Sequence, residues 1–379
     1  MDFDLTNEQK MIRELAREFA EKVIAPRAEE TERTGEFPYD ITAKMGELGM
    51  MGIPFPEEYG GSGGDWVSLH LCIDELSRGD ATFGALLDVT TSVAGQELHV
   101  FGTEDQKRRW LIPIAKGEKV GTFALTEPDC GSDAAALKTT AVLREGEWTL
   151  NGTKTFISFI GMENASLVLV AARTSEDDIS TFIVPKSSPG LEIGERMDKM
   201  GMHAAYTSEI YFEDCQIPEA NLLGEPDRGF AQHLAVLETG RISIAAVAVG
   251  LAQACLDQAL RYAKKRIAFG QPIFNFEAIQ FKLADMAVAI ELARNQYLKA
   301  AWLKDRGRNH TFEATLAKLF AAEMAEKVAS DALQVHGGYG YMSEYPVSRY
   351  YKGAKLLQIV EGTSEIQRMI LGRILWKQG

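Results

Sequence analysis

The sequence predicts a three-domain α+β protein with an N-terminal helical domain, a middle antiparallel β domain and a C-terminal helical bundle. Apolar residues recur at helical spacing through both ends of the chain, whereas the middle contains short apolar strands separated by turn residues. No helical pattern separates these strands, which favours an antiparallel sheet over βαβ units. Single cores stop growing near about 250–300 residues, so a chain of 379 residues can hold two or three domains. We place the boundaries at residues 1–117, 118–227 and 228–379.

The N-terminal region carries clear helix-start signals. Thr6 and Thr103 each precede a glutamine by three residues (Gln9 and Gln106), which is the spacing of a capping box. Pro26 should end or kink the first helix. A loop rich in proline and glycine is expected at 54–64. Further helices are predicted at about 39–49, 66–77, 81–101 and from 104 to the residues before Gly117.

The middle region reads as a series of short strands. Asn151-Gly152 is the strongest short turn signal, so we predict a hairpin turn there, between strands at 148–150 and 154–158. Other strands are predicted at about 119–125, 167–172, 180–184, 191–193 and 208–212.

The C-terminal region returns to long helical patterns. Three long segments and two shorter ones are joined by short loops, which is typical of an antiparallel bundle. They are predicted at about 230–264, 276–305, 311–335, 346–355 and 364–376.

The composition indicates a globular protein with a large core. Apolar residues make up 46% and charged residues 25% of the chain. The net charge of −14 opposes nonspecific binding to nucleic acid or to an anionic membrane, so we expect neither as a partner. The six histidines show no spacing typical of metal ligands or of a catalytic triad, and no metal site is expected.

The cysteines and the N-terminus bear on the compartment. Cys72, Cys130, Cys215 and Cys255 are far apart and form no CxxC pair, as is typical of free thiols in a reducing environment. The N-terminus alternates acids and bases and lacks the apolar core of a signal peptide. The longest apolar run, 242–256, is too short to cross a bilayer. These features predict a cytoplasmic protein.

The most informative stretch, residues 333–368, combines glycines, tyrosines and one acid, Glu361. Glu361 follows an apolar run and precedes Gly362, a position where burial would raise the pKa of its carboxyl group. Such a carboxyl group is suited to act as a general base. The alternative is an ordinary helix start, with Thr363 as the N-cap of the next helix. The local pattern leaves both interpretations open.

Seven separated motifs resemble those of the acyl-CoA dehydrogenases, in the family's order and over essentially the whole chain. Among the members of that family, the chain looks most like the short-chain, butyryl-CoA-dehydrogenase-like bacterial enzymes. The motifs are MGIPFPEEYGGSGGD at 51–65, FGTEDQK at 101–107, LTEPDCGSD at 125–133, NGTKTFIS at 151–158, RIAFGQPI at 266–273, QVHGGYGY at 334–341 and VEGTSEIQR at 360–368.

The resemblance implies a reaction, a cofactor and partners. A base would remove the α-proton of an acyl-CoA thioester while the β-hydride passes to N5 of FAD, which gives a 2,3-enoyl-CoA and reduced flavin. The electrons would pass to an electron-transfer flavoprotein. The family fold ends in a four-helix bundle and forms a homotetramer, a dimer of dimers in which the FAD sites are shared between subunits. We therefore expect a bacterial, cytoplasmic enzyme of this kind.

Glu361 matches the base of the family. By resemblance, its backbone N–H and a flavin ribose hydroxyl would hold the thioester oxygen. Some relatives carry the base on a bundle helix instead, immediately before the arginine that corresponds to Arg241. That position is Gly240 in this chain, which cannot serve as a base and so favours Glu361.

The resemblance also assigns residues to FAD. Leu125 and Thr126 would face the flavin pyrimidine ring, although their loop alone would be read as a surface turn. Phe156 stands where a tryptophan usually covers the flavin, and Ser158 where a threonine bonds flavin N5; unaided, Phe156 would be read as an inward strand residue. The other positions matched to the cofactor are Phe123, Ser132, Arg266, Phe269, Glu277, Gln334, Gly337, Gly338, Thr363 and Glu365.

Several matched positions concern the substrate. Glu238 and Arg241 lie on the helix that lines the CoA channel in relatives, although alone they would be read as an exposed pair. Val360 replaces a tyrosine that often precedes the base, and the loss of that ring favours a branched or cyclic acyl group. The positions assigned to the substrate are Ser132, Asp88, Glu238, Arg241, Val360 and Gly362.

Asp88 is the most informative departure from the family pattern. It aligns with the floor of the acyl pocket, where a second carboxylate could act as an additional base on an alicyclic acyl group. It would also repel an ω-carboxylate, and Gly84 replaces the arginine that glutaryl-specific relatives use, so glutaryl-CoA is not expected. The alternative is a structural residue hydrogen-bonded to Thr90, Thr91 or Ser92.

The remaining departures from the family pattern do not change the interpretation of the chain as an acyl-CoA dehydrogenase relative. Phe159 and Ile160 replace an Asn-Gly turn, Glu277 stands where a glutamine is common, and Gly353 replaces an aspartate. Other hypotheses are an acyl-CoA oxidase, a flavin monooxygenase relative and a nucleic-acid-associated relative without dehydrogenase activity. The acidic balance and the presence of Glu361 oppose the last of these. The identity of the acyl chain is not determined by the sequence.

Overall fold

The computed structural model describes residues 4–378 and shows helices at both ends with a β sheet between them. The helices are α1 (Asn7–Phe19), α2 (Ala28–Thr34), α3 (Tyr39–Glu47), α4 (Trp66–Gly79), α5 (Ala81–Leu87), α6 (Gln96–Phe101), α7 (Glu104–Gln106), α8 (Ile112–Ala115), α9 (Gly229–Lys265), α10 (Glu277–Asp305), α11 (Thr311–His336), α12 (Pro346–Leu356) and α13 (Ser364–Gln378). The strands are β1 (Val120–Ala124), β2 (Thr140–Arg144), β3 (Glu147–Ser158), β4 (Ala165–Arg173), β5 (Ile179–Pro185), β6 (Leu191–Ile193), β7 (Thr207–Pro218), β8 (Leu222–Leu223), β9 (Ile267–Ala268) and β10 (Gln271–Pro272).

The N-terminal helix starts agree with the sequence signals. Thr6 and Thr103 both form capping boxes with Gln9 and Gln106, so these predictions are confirmed. The chain passes Pro26 through a π-helical and a 3₁₀ turn before α2 begins, which is the predicted kink.

The helix predicted at 81–101 is interrupted by a π-helical segment, Asp88–Gly95, between α5 and α6. π-Helical segments are rare and frequently occur at functional sites. The segment is anchored by Thr91, whose hydroxyl donates to the Met51 carbonyl over 2.8 Å. Its first residue is Asp88, which points into the interior of the protein with an exposed fraction of 1%.

The middle sheet is mixed rather than wholly antiparallel. Its main path runs β6-β7-β3-β2-β4-β5-β8, and these neighbours pair antiparallel apart from β2 with β4. β1 also pairs β4 in parallel. The prediction of an antiparallel domain missed these two parallel pairs. Parallel neighbours need a crossover connection, and the β2–β3 hairpin supplies one between β1 and β4.

The predicted hairpin turn at Asn151-Gly152 is wrong. β3 continues through both residues, and the turn lies at Glu145-Gly146, whose φ values are +51° and +84°. Asn151 instead uses its side chain to exchange two hydrogen bonds with Asp214 on β7. A Cβ at Gly152 would lie 2.7 Å from the Thr139 Cα, so this glycine allows a close backbone approach at a bulge rather than a turn.

The C-terminal helices confirm the predicted bundle. α9, α10 and α11 pack against one another, and α9 also packs against α4 and α5 of the N-terminal region. Within residues 4–378, α9 is the one helix long and apolar enough to cross a membrane. However, 78% of its apolar window is buried inside the protein, as expected for a core helix.

The packing around α9 brings four separate segments to one interior point. The π-helical segment, α9, α11 and the turn between α12 and α13 all contribute polar side chains there. The polar groups concerned are Asp88, Arg241, Lys318 and Glu361, which interact with one another electrostatically.

Candidate active site

Glu361 lies in the turn between α12 and α13, and its backbone is left-handed. Its φ is +52° and that of Gly362 is +90°, a conformation that costs a non-glycine residue about 1–2 kcal/mol. Side chains anchor this turn from two sides. Gln367 Nε2 donates to the carbonyls of Glu361 (3.2 Å) and Gly362 (2.9 Å). Lys318 Nζ donates to the Gly362 carbonyl (2.7 Å).

The helix-cap interpretation is also confirmed, but for a neighbouring residue. Thr363 Oγ1 accepts a hydrogen bond of 3.3 Å from the backbone of Ile366 in the first turn of α13. The cap and the carboxylate belong to different residues. The capping role of Thr363 therefore leaves the carboxylate of Glu361 available for chemistry.

The Glu361 carboxylate points into the protein. The residue as a whole is half-buried, but its Oε2 is buried and has no hydrogen-bond partner within residues 4–378. Burial raises the pKa of Glu361, and interactions with Asp88, Lys318 and Arg241 offset part of that effect. A buried carboxylate with a free oxygen and a raised pKa is suited to accept a proton.

Gly240 on α9 provides the space that this carboxylate occupies. A Cβ at Gly240 would lie 2.1 Å from Glu361 Oε2 and 2.8 Å from Glu361 Cδ. These distances are shorter than van der Waals contact. The position where some relatives carry their base therefore adjoins the Glu361 carboxylate in space.

Asp88 lies next to Glu361 in the interior of the protein. It is 1% exposed, and its Oδ1 has no hydrogen-bond partner in the described part of the chain. Burial raises the pKa of Asp88 well above its usual range, and the neighbouring Glu361 raises it further. Two adjacent buried carboxyl groups do not both ionise readily. Lys318 and Arg241 act on Glu361 and favour its ionised form.

Two of the partners predicted for Asp88 are engaged elsewhere and the third is unpaired, but the Ser243 hydroxyl interacts with Asp88, so the structural alternative stays a prediction. Thr91 donates to the Met51 carbonyl, and Thr90 Oγ1 has no partner. Ser92 Oγ is 2.8 Å from the hydroxyl of Ser243.

A buried polar chain lies behind Asp88. The Ser243 hydroxyl interacts with Asp88 and is 3.1 Å from His70 Nε2, while His70 Nδ1 donates to the Trp66 carbonyl over 2.6 Å. Burial lowers the pKa of His70 to about 3, so its imidazole is neutral. The sequence had indicated only structural histidines, and it offered no signal that His70 lies next to the site.

Arg241 and Glu238 do not form the exposed pair that the pattern alone suggested. Arg241 is 7% exposed and its Nε has no partner among the described residues. Burial lowers the pKa of Arg241, while Glu238 and Glu361 raise it. Glu238 accepts a hydrogen bond of 2.8 Å from the Thr311 hydroxyl. Arg241 is thus a buried cation close to the base.

Lys318 was missed by the sequence analysis, although the sequence contained a signal for it. It occupies the buried face of α11 in a row of alanines, Ala314, Ala317, Ala321 and Ala325. A lysine at a core position of a helix is unusual unless it is paired. Its side chain is fully buried and reaches the Gly362 carbonyl.

The loop assigned to the flavin pyrimidine is fixed from beneath. Lys154 is fully buried and donates to the Leu125 carbonyl (3.0 Å) and to Glu127 Oε1 (2.8 Å). The backbone N–H of Thr155 donates to the Thr126 carbonyl over 2.9 Å. These hydrogen bonds fix the conformation of the loop, which distinguishes it from a simple surface turn.

Residues around this loop present side chains on the outside of the sheet. Phe156 is 67% exposed with φ of +60°, so the interpretation as an inward strand residue is wrong. Ser158 and Phe123 are half-buried and Ser132 is exposed. The Phe123 ring contacts His233 edge-on, with ring centroids 4.5 Å apart.

A second surface region contains the other positions matched to FAD. It includes a cavity of about 520 Å³ at the end of α11, lined by Tyr262, Arg266, Ile273, Val335, His336, Gly337, Gly338, Tyr339 and Met342. A Cβ at Gly337 or Gly338 would meet no atom within 4 Å. Backbone that is this open can approach a phosphate closely, and Arg266 supplies a positive charge. The residues present therefore fit a dinucleotide cofactor.

The other matched positions differ in exposure. Phe269 is 95% exposed with φ of +51°. Glu277, at the start of α10, Gln334 and Glu365 are exposed, while Thr363, Val360 and Gly362 are half-buried. The structure thus brings the predicted residues into two groups. One includes Asp88 and Arg241 around Glu361, and the other lines the cavity.

Position 84, which carries glycine instead of the arginine of glutaryl-specific relatives, lies in a tightly packed part of the protein. A Cβ at Gly84 would lie 1.8 Å from Ser77 Oγ on α4, so a larger side chain there would require Ser77 to move. Phe159 and Ile160 are fully buried, with exposed fractions of 1% and 0%. No cluster of residues suited to hold a metal ion occurs within residues 4–378.

Comparisons with known proteins agree with this architecture. Family models match over three successive ranges: "Acyl-CoA dehydrogenase, N-terminal domain" at 6–118, "middle domain" at 122–215 and "C-terminal domain" at 227–376. The chain is 51% identical to the "Probable acyl-CoA dehydrogenase YngJ" of Bacillus subtilis (strain 168), over 100% of both chains.

Two solved structures are similar along nearly their whole length. One is butyryl-CoA dehydrogenase from Megasphaera elsdenii, with TM-score 0.96, 41% identity and coverage of 99% of this chain and 100% of the other. The second is a chain from the structural study of the electron transferring flavoprotein of Acidaminococcus fermentans, with TM-score 0.97, 45% identity and 99% coverage of both chains. The chain therefore belongs to the acyl-CoA dehydrogenase family, whose members are FAD-dependent oxidoreductases acting on the CH–CH bond of acyl-CoA.

Proposed function

We propose that Glu361 is the general base that removes the α-proton of a short, branched or cyclic acyl-CoA. The observation that supports this role most directly is the buried Glu361 carboxylate, whose Oε2 lacks a partner. The left-handed turn and its anchors hold the carboxylate at a fixed place. A proton acceptor positioned in this way contributes about 10²–10⁴-fold to rate.

The backbone of the same residue supports stabilisation of the thioester oxygen. No backbone carbonyl of the described chain accepts a hydrogen bond from the Glu361 N–H. This N–H is therefore free to donate to the oxygen on which negative charge develops as the α-proton leaves. A fixed donor of this kind stabilises an enolate-like transition state.

The cofactor would be held by the two surface regions described above. Leu125, Thr126, Phe156 and Ser158 would contact the flavin ring, and the cavity beside Gly337 would take the dinucleotide end. FAD, when bound, supplies the acceptor for the β-hydride. Gly240 and Tyr262 are separated by 22 positions along α9, about 33 Å of helix. That separation supports FAD sites shared between two chains of a homotetramer.

The electron acceptor and the compartment belong to the same proposal. The similarity to the Acidaminococcus fermentans chain supports an electron-transfer flavoprotein as acceptor. Bacterial relatives support a bacterial, cytoplasmic setting. An oxidase remains the same-fold alternative, and it is separated by the rate at which oxygen reoxidises the substrate-reduced protein.

The substrate is tested by anaerobic reduction of the purified flavoprotein with C4 to C8 straight, branched and cyclic acyl-CoAs. We expect the flavin absorbance to bleach fastest with a short or branched ester, because Val360 is smaller than the tyrosine that often precedes the base in relatives. Rapid reoxidation by electron-transfer flavoprotein with slow reoxidation by oxygen would support a dehydrogenase. Failure of every ester to bleach the flavin would contradict the proposal.

A second candidate is an alicyclic acyl-CoA dehydrogenase in which Asp88 acts as an additional base. The specific observation in its favour is a buried carboxyl group beside Glu361 with no structural partner for Oδ1. The raised pKa of Asp88 makes its ionised form a stronger proton acceptor. In this candidate, Asp88 would remove a proton from a carbon further along the acyl group than the α-carbon.

Substituting Asp88 by asparagine distinguishes the two candidates. If Asp88 is a base, Asp88→Asn should lower the rate on alicyclic esters by about 10²-fold or more, whereas straight-chain rates should change less than about tenfold. Asp80→Asn is a matched control, since Asp80 is buried but only caps α5 through Thr82. Unchanged rates on both ester classes would remove Asp88 from the mechanism.

A further inference from the structure

A buried lysine on α11, Lys318, adjoins the proposed base without a structural requirement for its charge. Its exposed fraction is 0%, and within residues 4–378 the one hydrogen bond of its ammonium group is to the Gly362 carbonyl. No carboxylate of the described chain lies within 4.0 Å of its ammonium group. The Gly362 carbonyl already accepts from Gln367 over 2.9 Å, so a second donor is not needed merely to satisfy it.

Keeping an ammonium group in the interior is unfavourable unless a negative charge compensates it. Burial lowers the pKa of Lys318 to about 8, and Glu361 is the group that most strongly opposes this shift. The lysine is therefore still largely protonated at neutral pH. In return, Lys318 lowers the pKa of Glu361.

We infer that Lys318 is a positioning residue for the base. Its Nζ holds the Gly362 carbonyl and with it the left-handed turn that aims the Glu361 carboxylate, and its charge keeps that carboxylate ionised inside the protein. The inference rests on the proposed role of Glu361.

Other charged groups face this pair and limit the size of the effect. Asp88 approaches from the π-helical segment, and Arg241 and Glu238 lie on α9. Glu323 on α11 and Glu365 on α13 act on Lys318 from the outer side. Arg241 remains as a second cation when Lys318 is replaced, so loss of Lys318 should shift the ionisation of Glu361 rather than abolish it.

Three substitutions separate charge from position. Lys318→Gln keeps a donor but removes the charge, Lys318→Met removes both, and Lys318→Arg keeps the charge. In the pH profile of kcat/KM, the rising limb should move to higher pH by about one unit in Lys318→Gln and Lys318→Met. Lys318→Gln should recover at alkaline pH. Lys318→Met should keep a residual kcat loss of up to about 10²-fold, because Gln367 alone then holds the turn and the carboxylate is less well positioned.

A measurement independent of turnover checks the buried charge. The lowered pKa of Lys318 contributes stability that is present above the unfolded pKa near 10.5 and lost as pH falls through about 8. The melting temperature of wild type relative to Lys318→Gln should therefore rise between pH 8 and 10.5. Lys186→Gln is the control for the turnover profile, because burial also lowers the pKa of Lys186 and its ammonium donates to the Met162 carbonyl, but Glu361 does not act on it; its kcat/KM profile should match wild type.

The outcomes separate this inference from the proposed function. A wild-type pH profile in both Lys318→Gln and Lys318→Met overturns the role of Lys318, while an inactive Glu361→Gln still supports the base. An active Glu361→Gln contradicts the base itself. If Lys318→Met does not fold, as judged by its flavin spectrum and melting curve, Lys318→Gln and Lys318→Arg still decide the matter.

Discussion

Substituting Glu361 by glutamine should lower kcat on acyl-CoA by at least about 10³-fold, because the amide cannot accept the α-proton. Glutamine has nearly the same volume as glutamate, so it fits the space left by Gly240. The backbone turn should persist, since its anchors Gln367 and Lys318 bind carbonyls and not the carboxylate. The loss should therefore be confined to chemistry.

Three quantities should be measured for Glu361→Gln: turnover, anaerobic bleaching of the flavin, and exchange of the substrate α-proton with deuterated water. The purified variant should stay yellow with wild-type flavin content, while bleaching and exchange are both lost. Glu344→Gln, a surface change before α12, should behave as wild type. Turnover within tenfold of wild type would show that another group is the base.

Substituting Gly240 by alanine should lower kcat by about 10²-fold while the protein remains folded. The new Cβ would lie 2.1 Å from Glu361 Oε2 and 2.9 Å from Oε1. The end of a flexible side chain yields more easily than backbone, so the carboxylate should move by about 1 Å. A displacement of that size can reduce a rate about 10²-fold.

The matched control for this substitution is Gly353→Ala. Gly353 is also a buried helical glycine, but a Cβ there would meet Leu251 Cδ1 at 3.4 Å, which is ordinary contact. Alanine should raise helix stability there by about 0.5–1 kcal/mol and leave kcat unchanged. Equal kcat values for Gly240→Ala and wild type would show that the carboxylate does not need its observed place.

The sequence predicted the elements of this fold better than it predicted the contacts between them. Capping boxes located the starts of α1 and α7, and long apolar periods located α9, α10 and α11 to within a residue, because these signals are local. The Asn151-Gly152 signal failed because cross-strand bonds to Asp214 and a close approach to Thr139 outweigh local turn preference. Tertiary contacts of that kind leave no mark on neighbouring residues.

The candidate site likewise contains residues that the sequence predicted and residues that it did not. Glu361 was recognisable because an apolar run and a glycine flank it in the chain. Lys318 and His70 act on the site from other helices, and although a lysine among core alanines is unusual, neither helix shows by itself that its residue adjoins Glu361. The surroundings of Asp88 were unpredictable for a related reason. Thr91 is engaged by the Met51 carbonyl and Ser92 by α9, while Ser243 on α9 interacts with Asp88, and helix packing alone decides this.

The contact between Gly240 and the Glu361 carboxylate also limits how a protein of this fold can change over time. The two positions at which members of this family carry a base are far apart in the chain but share one volume in space. A chain with glutamate at both would have to fit two carboxylates into room for one. Moving the base from the turn to α9 one substitution at a time therefore means passing through either a crowded site or a site with no base. A base at position 361 and a base at position 240 are therefore alternative arrangements, and no intermediate between them has a single base in an uncrowded site.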